Sequence, residues 1–210
     1  MKLLTRLFNY VMLATSKYNI DESHGMSHSM NVLYYADQIY QSELYKTPAL
    51  KTQENIIYIS AVLHDMADKK YVDENQGIQE IVGFISNDTN IITPIEIEVI
   101  TQIIKTMSYS KVKKQGFPEL GEFQPAYHIV READLLTAYD FDRCLIYNMN
   151  KKYGDLMDAL DEAENLFNNR MFLHNEHGLF LSDYSKHKSI ELHNIAKNRI
   201  QFWRNIARRT

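Results

Sequence analysis

The chain has 210 residues, of which 45% are hydrophobic and 24% are charged, enough apolar sequence for one globular domain with a sizeable core. Its formal net charge of −4 gives no electrostatic basis for binding a nucleic acid, and no apolar run approaches the roughly 20 residues that span a bilayer. We therefore expect neither a nucleic-acid partner nor a membrane association. The single cysteine, Cys144, excludes an internal disulfide and favours a reducing, cytoplasmic setting.

The low glycine and proline content and the hydrophobic spacing of the sequence predict an all-α fold. Seven glycines and four prolines are few for this length, and the alternation typical of β-strands is scarce. Arg6 and Asn9 interrupt the apolar stretch at the N-terminus, which therefore predicts a first helix rather than a signal peptide. Apolar residues at helical spacing predict helices over residues 2–18, 27–44, 54–65, 73–86, 94–107, 127–138, 155–172 and 188–208.

Three segments give more detail. Residues 54–65 are apolar nearly all round, which is typical of a central buried helix. Thr93-Pro94 is a helix-start pattern, with an N-cap followed by proline at the first helical position. Residues 108–125 combine glycine, proline and lysine, and are predicted to form an irregular loop that could border an active site. No second domain boundary is apparent, so we expect one helical domain over residues 1–210.

The dipeptide His64-Asp65 ends the most hydrophobic predicted helix. Burying an imidazole and a carboxylate there is costly unless they are paired or bind a metal. Because neighbouring helical positions differ by about 100°, both side chains can reach one ion beside the helix. A His-Asp dipeptide also occurs by chance, so the alternative that His64 and Asp65 have a purely structural role stays open.

Other residues extend this pattern. His28 begins the second predicted helix, and His24 would share its face if that helix began earlier. Asp134 lies within the apolar pattern of the helix over 127–138, which directs it towards the interior or its rim. Asp68 and Lys70 follow the His64-Asp65 pair, where a substrate phosphate could be met, although Lys70 also fits a solvated surface.

With its order of H…HD…D, the chain resembles the HD-domain metal-dependent phosphohydrolases over most of its length. The resemblance rests on the segments SHGMSHSMNV, AVLHDMADKKY, TMSYSK, HIVREADLLTAYD and NIAKNRIQFW. It extends to the compact bacterial branch that includes nucleotide pyrophosphohydrolases. The resemblance implies an HD-type helical bundle with a metal-binding core at about 20–140 and C-terminal helices, 155–208, packed on it.

The resemblance also implies roles for individual residues. Asp68 matches a position near the attacking water, and Lys70 matches one suited to substrate phosphate. His24 is a second candidate for moving a proton, although a helix cap or surface role fits it as well. The implied metal ligands are His28, His64, Asp65 and Asp134.

Two histidines and two carboxylates form a mixed nitrogen and oxygen set that suits Mn²⁺, Mg²⁺, Fe²⁺ or Zn²⁺. His128 is the only further histidine between the HD pair and Asp134, so we expect one divalent metal ion. The expected reaction is attack of a metal-activated water on a phosphate ester or anhydride, with a nucleotide as the substrate. His174, His177, His187 and His193 lie in polar, exposed-looking sequence and are assigned no role.

Three positions depart from the pattern of that branch. Asn31 stands where arginine is usual, and Leu135 and Thr137 replace an arginine and a second acid after the last aspartate. These departures favour a competing hypothesis, in which the chain is a metal-binding regulatory or interaction protein that has lost turnover. The sequence does not choose between a monophosphate, a triphosphate and a cyclic phosphodiester, and does not indicate an oligomeric state.

Overall fold

The computed structural model describes residues 2–87, 92–152 and 155–209, and within these ranges the chain forms ten α-helices and no β-strand. This confirms the all-α prediction. No described helix is long and apolar enough to cross a membrane. The helices are α1 (Leu3–Tyr18), α2 (Met26–Leu44), α3 (Glu54–Leu63), α4 (Glu74–Ser86), α5 (Pro94–Thr106), α6 (Tyr109–Gln115), α7 (Gln124–Thr137), α8 (Phe141–Lys152), α9 (Leu156–Asn169) and α10 (Asp183–Ala207).

The chain divides into two compact units, residues 1–134 and residues 135–210. In the first unit, α3 packs against α1, α2 and α5, and α4 packs against α5. The prediction that α3 is a central buried helix is confirmed, because every residue from Ile59 to Leu63 is buried. Because this last turn is buried, the two residues that follow it, His64 and Asp65, start from a packed backbone.

Local capping explains several helix starts. At α5, the Thr93 hydroxyl accepts the backbone N–H of Glu96 at 3.3 Å, and the Glu96 carboxylate accepts the N–H of Thr93 at 2.6 Å. Pro94 occupies the first helical turn, so the predicted start signal is confirmed. At α4, the Asp73 carboxylate accepts the backbone N–H of Gln76 at 3.0 Å.

Two glycines shape the stretch that the sequence indicates as one irregular loop. That prediction is wrong for residues 109–115, which form α6. Gly116 ends the helix with a φ of 77°, a conformation that favours glycine, and Gly121 follows with a φ of 56°. Lys111 of α6 pairs with Glu74, so it belongs to the packing of the first unit.

The second unit consists of α8, α9 and α10, which pack against one another, together with the end of α7. Helix α8 was not among the predicted helices, and α10 begins at Asp183 rather than at 188. His174, predicted from its polar neighbours to be exposed, is fully buried and packs edge-on against Tyr139 and Phe180. His193 is also packed, with its ring 4.2 Å from that of Phe172.

Candidate metal centre

The four predicted ligands all belong to the first unit and lie in, or directly after, three different helices. His28 lies in the first turn of α2, which begins after the Gly25 cap. His64 and Asp65 directly follow the last residue of α3, and Asp134 lies in α7. Segments more than 100 residues apart in sequence are therefore brought to one place.

The facing atoms of these side chains are close together. The Nε2 atoms of His28 and His64 are 3.1 Å apart. Asp65 Oδ2 lies 3.1 Å from Nε2 of His28 and 3.3 Å from Nε2 of His64. Asp134 Oδ1 lies 3.5 Å and 3.7 Å from the same two nitrogen atoms. We call these four predicted ligands, His28, His64, Asp65 and Asp134, the four-ligand cluster.

The distances among His28, His64 and Asp65 fit a single small cation. A metal bound at about 2.1 Å places neighbouring ligand atoms about 3.0 Å apart at right angles and about 3.4 Å apart at tetrahedral angles. His28, His64 and Asp65 each offer one ligand atom within 4.8 Å of the others, a group that can hold a metal ion. The Asp134 carboxylate lies farther away, at 3.5 and 3.7 Å from the two imidazole nitrogens, and is not part of this group. The donor set is chemically suitable as well, since imidazole nitrogen and carboxylate oxygen are common ligands of first-row divalent metals.

The backbone orients the His64 ring. Its Nδ1 lies 2.9 Å from the carbonyl oxygen of Ala61, and because a carbonyl only accepts, Nδ1 must carry the proton. In the neutral ring, the lone pair on Nε2 then points into the cluster. A metal-binding histidine is commonly held in this way, by a hydrogen bond from its other ring nitrogen to a carbonyl.

Burial and charge act against each other at the HD pair. Burial of the His64 imidazole disfavours its charge, but the Asp65 and Asp134 carboxylates outweigh this and raise the pKa of His64 to about 9. Burial likewise opposes the charge of Asp65, yet the facing imidazoles hold the pKa of that carboxyl well below its usual value. Both shifts have the same physical meaning: two carboxylates here demand positive charge, which either a proton or a cation supplies.

Exposure differs between the two kinds of ligand. The side chains of His28 and His64 are 1% and 4% exposed, whereas those of Asp65 and Asp134 are 15% and 26% exposed. The imidazoles therefore form the closed side of the cluster, and the carboxylates form its solvent-accessible side. A bound ion would be reached by small molecules from the carboxylate side.

The residues predicted to surround the metal lie in the turn after α3 and in the turn before α2. The backbone N–H of Asp68 donates to the Asp65 carbonyl at 3.1 Å, which places Asp68 one turn beyond the HD pair. The ammonium group of Lys70 lies 3.3 Å from Asp68 Oδ2 and 3.2 Å from Nε2 of His24. His24 lies in a separate 3-10 turn rather than in α2, but its ring centroid is 6.2 Å from that of His28.

A glycine allows α4 to approach this turn closely. A Cβ added at Gly77 would lie 2.8 Å from Cα of Ala67 and 2.9 Å from its Cβ, distances that real side chains do not adopt. Ala67 is buried and stands two residues after Asp65. Gly77 thus supports the backbone that carries Asp65 and Asp68.

His128, the additional histidine considered in the sequence, has different partners. Its Nε2 accepts a hydrogen bond from the Gln124 side-chain amide at 3.1 Å, and its ring packs 4.9 Å from that of Phe117. Burial and the nearby Arg131 guanidinium lower the pKa of His128 to about 4. The group of residues that can hold a metal does not include it.

Sequence reasoning missed several polar residues near the predicted ones. The hydroxyls of Ser23 and Tyr71 both donate to Asp21 and both contact His24. The Asp-x-Ser spacing of Asp21 and Ser23 indicates a local turn, whereas nothing in the sequence marks Tyr71. Arg131 and Glu132, both 1% exposed, form a buried ion pair at 3.5 Å within α7, shortly before Asp134.

The three positions that depart from the family pattern have different surroundings. Asn31 is exposed on α2, while Leu135 and Thr137 are buried. Leucine and threonine therefore occupy enclosed positions where the resemblance would place charged side chains. Compared with protein-family models, with curated proteins and with solved structures, the chain matches none of them.

Proposed function

We propose that this chain is a metal-dependent phosphohydrolase of the HD-domain type, which hydrolyses a phosphate ester or anhydride of a nucleotide. The observation that carries the proposal is the convergence of two imidazole nitrogens, 3.1 Å apart, with two carboxylates that each lie 3.1 to 3.7 Å from both of them. Their order along the chain is the H…HD…D order of the sequence pattern.

The residues of the cluster have separable roles in this proposal. His28 and His64 bind the cation through Nε2, and the Ala61 carbonyl fixes the ring of His64. Asp65 and Asp134 bind it through carboxylate oxygens and balance its charge. When bound, the divalent metal supplies a Lewis acid and a water of lowered pKa.

The residues beside the cluster handle the substrate. Asp68, whose backbone follows the HD pair by one turn, is the carboxylate that would accept a proton from the attacking water. Lys70 binds a phosphate oxygen with its ammonium group, which is a point charge with three donors. The net charge of −4 does not prevent binding of an anionic substrate, because the Lys70 ammonium and the bound metal ion would make the local potential positive.

A second candidate function is metal binding without turnover, in a regulatory or interaction protein. The burial of Leu135 and Thr137 favours it, since neither can supply the charge that the resemblance places there. The two candidates share the metal and differ only in catalysis.

One screen separates the two. The purified full chain is stripped of metal and assayed with Mn²⁺, Mg²⁺, Fe²⁺ and Zn²⁺ against p-nitrophenyl phosphate, its bis-ester, and mono-, tri- and cyclic nucleotides. We expect at least one metal and one nucleotide class to give turnover, and the Asp65→Ala variant to lose it. The Asp142→Ala variant, altered at a carboxylate outside the cluster, should keep it. Bound metal with no turnover on any substrate would exclude the enzyme and support the regulatory function.

A further inference from the structure

A series of hydrogen bonds links Asp21 to Lys70 through His24. Asp21 Oδ1 accepts the backbone N–H of Ser23 at 2.9 Å and also its hydroxyl, while Asp21 Oδ2 accepts the Tyr71 hydroxyl at 2.5 Å. His24 Nδ1 lies 2.7 Å from Ser23 Oγ and 3.0 Å from Tyr71 Oη. On the other side of the ring, His24 Nε2 lies 3.2 Å from Lys70 Nζ.

Counting the protons assigns the tautomer of His24. The Ser23 and Tyr71 hydroxyls each carry one proton, and both donate it to the Asp21 carboxylate. Partial burial disfavours the charge of Asp21, but these hydrogen bonds outweigh it and hold the pKa of that carboxyl below its usual value. With both hydroxyl protons used, the short contacts at Nδ1 require the proton to be on His24 itself.

The other nitrogen must then accept. A lysine ammonium has three donors and no acceptor, so the contact between Lys70 and Nε2 exists only if Nε2 carries a lone pair. His24 is therefore the neutral Nδ1–H tautomer, with its remaining lone pair directed at Lys70. In this state, Nε2 is occupied and does not take a proton from water.

Lys70 is held from a second side as well. Asp68 Oδ2 lies 3.3 Å from its ammonium nitrogen, and Asp68 Oδ1 accepts its backbone N–H at 2.9 Å. A lysine side chain at the surface normally samples many rotamers, and ordering it opposes binding. Two contacts made before any ligand arrives reduce that cost at a site adjoining His28.

We propose that Asp21, Ser23 and Tyr71 are positioning residues, which orient His24 so that it holds the Lys70 ammonium for a phosphate group of the substrate. The identity of this anion rests on the proposed function. His24 then acts on Lys70 and not on the attacking water, which leaves Asp68 as the proton acceptor. A phosphate would meet the Lys70 ammonium on the exposed side of this network, beside the four-ligand cluster.

The tautomer can be measured without any activity. Long-range ¹H–¹⁵N correlation spectra of the ¹⁵N-histidine-labelled full chain, with Mg²⁺ present, distinguish Nδ1–H from Nε2–H rings, and the His24→Gln variant assigns the signal. We expect Nδ1–H for His24 in the wild type. The Asp21→Asn variant should shift His24 towards the Nε2–H tautomer. The new amide can donate a hydrogen bond to the Ser23 or Tyr71 hydroxyl, which can then donate its own proton to Nδ1 of His24.

Phosphate binding tests the consequence. Calorimetric titration of inorganic phosphate into the Mn²⁺-loaded protein should show affinity lowered at least tenfold by Lys70→Met and by Asp21→Asn. Tyr71→Phe, which keeps the packing of the ring, should lower it about threefold. The matched control is Tyr58→Phe, since Tyr58 also donates to an aspartate, Asp37, at 2.6 Å, and it should leave both the spectrum and the affinity unchanged.

An Nε2–H signal for His24 in the wild type would overturn the proposal, as would unchanged phosphate affinity in Asp21→Asn and Tyr71→Phe. Failure of the proposed function looks different. In that case no nucleotide or ester is hydrolysed, while the tautomer and the order of phosphate affinities remain as stated.

Discussion

Two carboxylates in different units of this chain face partners of different charge. In the second unit, two N–H groups of Arg199 make three contacts with the Asp142 carboxylate at 2.6 to 2.8 Å, and the Trp203 indole donates to it at 2.7 Å. In the first unit, Asp65 faces the imidazoles of His28 and His64 at 3.1 and 3.3 Å. A guanidinium is always charged, whereas an imidazole is positive only when protonated.

The difference distinguishes a structural ion pair from a binding site. The Asp142 and Arg199 side chains are 35% and 43% exposed. Their charges are equal and opposite, and water screens the pair. The cluster around Asp65 is more buried and combines two carboxylates with two imidazoles, which carry positive charge only when they bind a proton. Such a set is completed by positive charge from outside the chain, and a divalent cation supplies more of it than one proton does.

The largest effect should come from removing a nitrogen ligand. His64→Ala should lower the affinity for Mn²⁺ by at least about 100-fold, because the loss of a ligand exceeds the 10- to 100-fold effect of losing its supporting partners. His187→Ala, at an exposed histidine of α10, is the control and should bind Mn²⁺ like the wild type. Calorimetry on both variants measures this, and equal affinity in the two would remove His64 from the site.

The next largest effect should come from a substitution at Gly77, next to the backbone that carries Asp65, and it should appear in the stability of the protein. Gly77→Ala should lower the free energy of unfolding by about 1–3 kcal/mol, because the new Cβ overlaps the backbone of Ala67. Gly83→Ala lies in the same helix with no atom within 4 Å of the added Cβ, and should be neutral or raise it by about 0.5–1 kcal/mol. Urea unfolding of the two variants gives the comparison. Equal changes would mean that Gly77 has no special part in holding the turn.

The ion pair of the second unit should show a smaller, pH-dependent effect. Hydrogen bonds from Arg199 outweigh partial burial and, with the Trp203 bond, lower the pKa of Asp142. The stabilisation is therefore fully present above the pKa of an unfolded aspartate, about 3.9, and is lost as the pH falls through the folded value. The urea midpoint of Asp142→Asn should lie below that of the wild type at pH 7, and the gap should narrow towards pH 3. A gap that stays constant would show that the carboxylate charge does not contribute.

The sequence allowed good prediction where local chemistry decides the structure. The capping box of Thr93, Pro94 and Glu96 involves neighbouring residues, so its pattern is sufficient. The burial of α3 follows from apolar residues on every face. The grouping of His28, His64 and Asp65 follows the H…HD order, which indicates residues that meet although they are distant in the chain.

Prediction failed where tertiary contacts decide the outcome. Tyr71 lies 47 residues after His24, and no local pattern ties its hydroxyl to that ring. His174 has polar neighbours in sequence, but the packing of Tyr139 and Phe180 buries it. In the stretch 108–125, the glycines and prolines led to the prediction of one irregular loop, but the short helix α6 forms before the first glycine, Gly116.

The most direct test of the account is the number of metal ions that the full chain binds. After equilibrium dialysis against Mn²⁺, elemental analysis should find about one ion per chain in the wild type and in Asp142→Ala. It should find none in Asp65→Ala, because that variant removes the carboxylate that lies nearer to both imidazoles than Asp134 does. A full equivalent of Mn²⁺ retained by Asp65→Ala, or none bound by the wild type, would contradict the metal centre on which the proposed function depends.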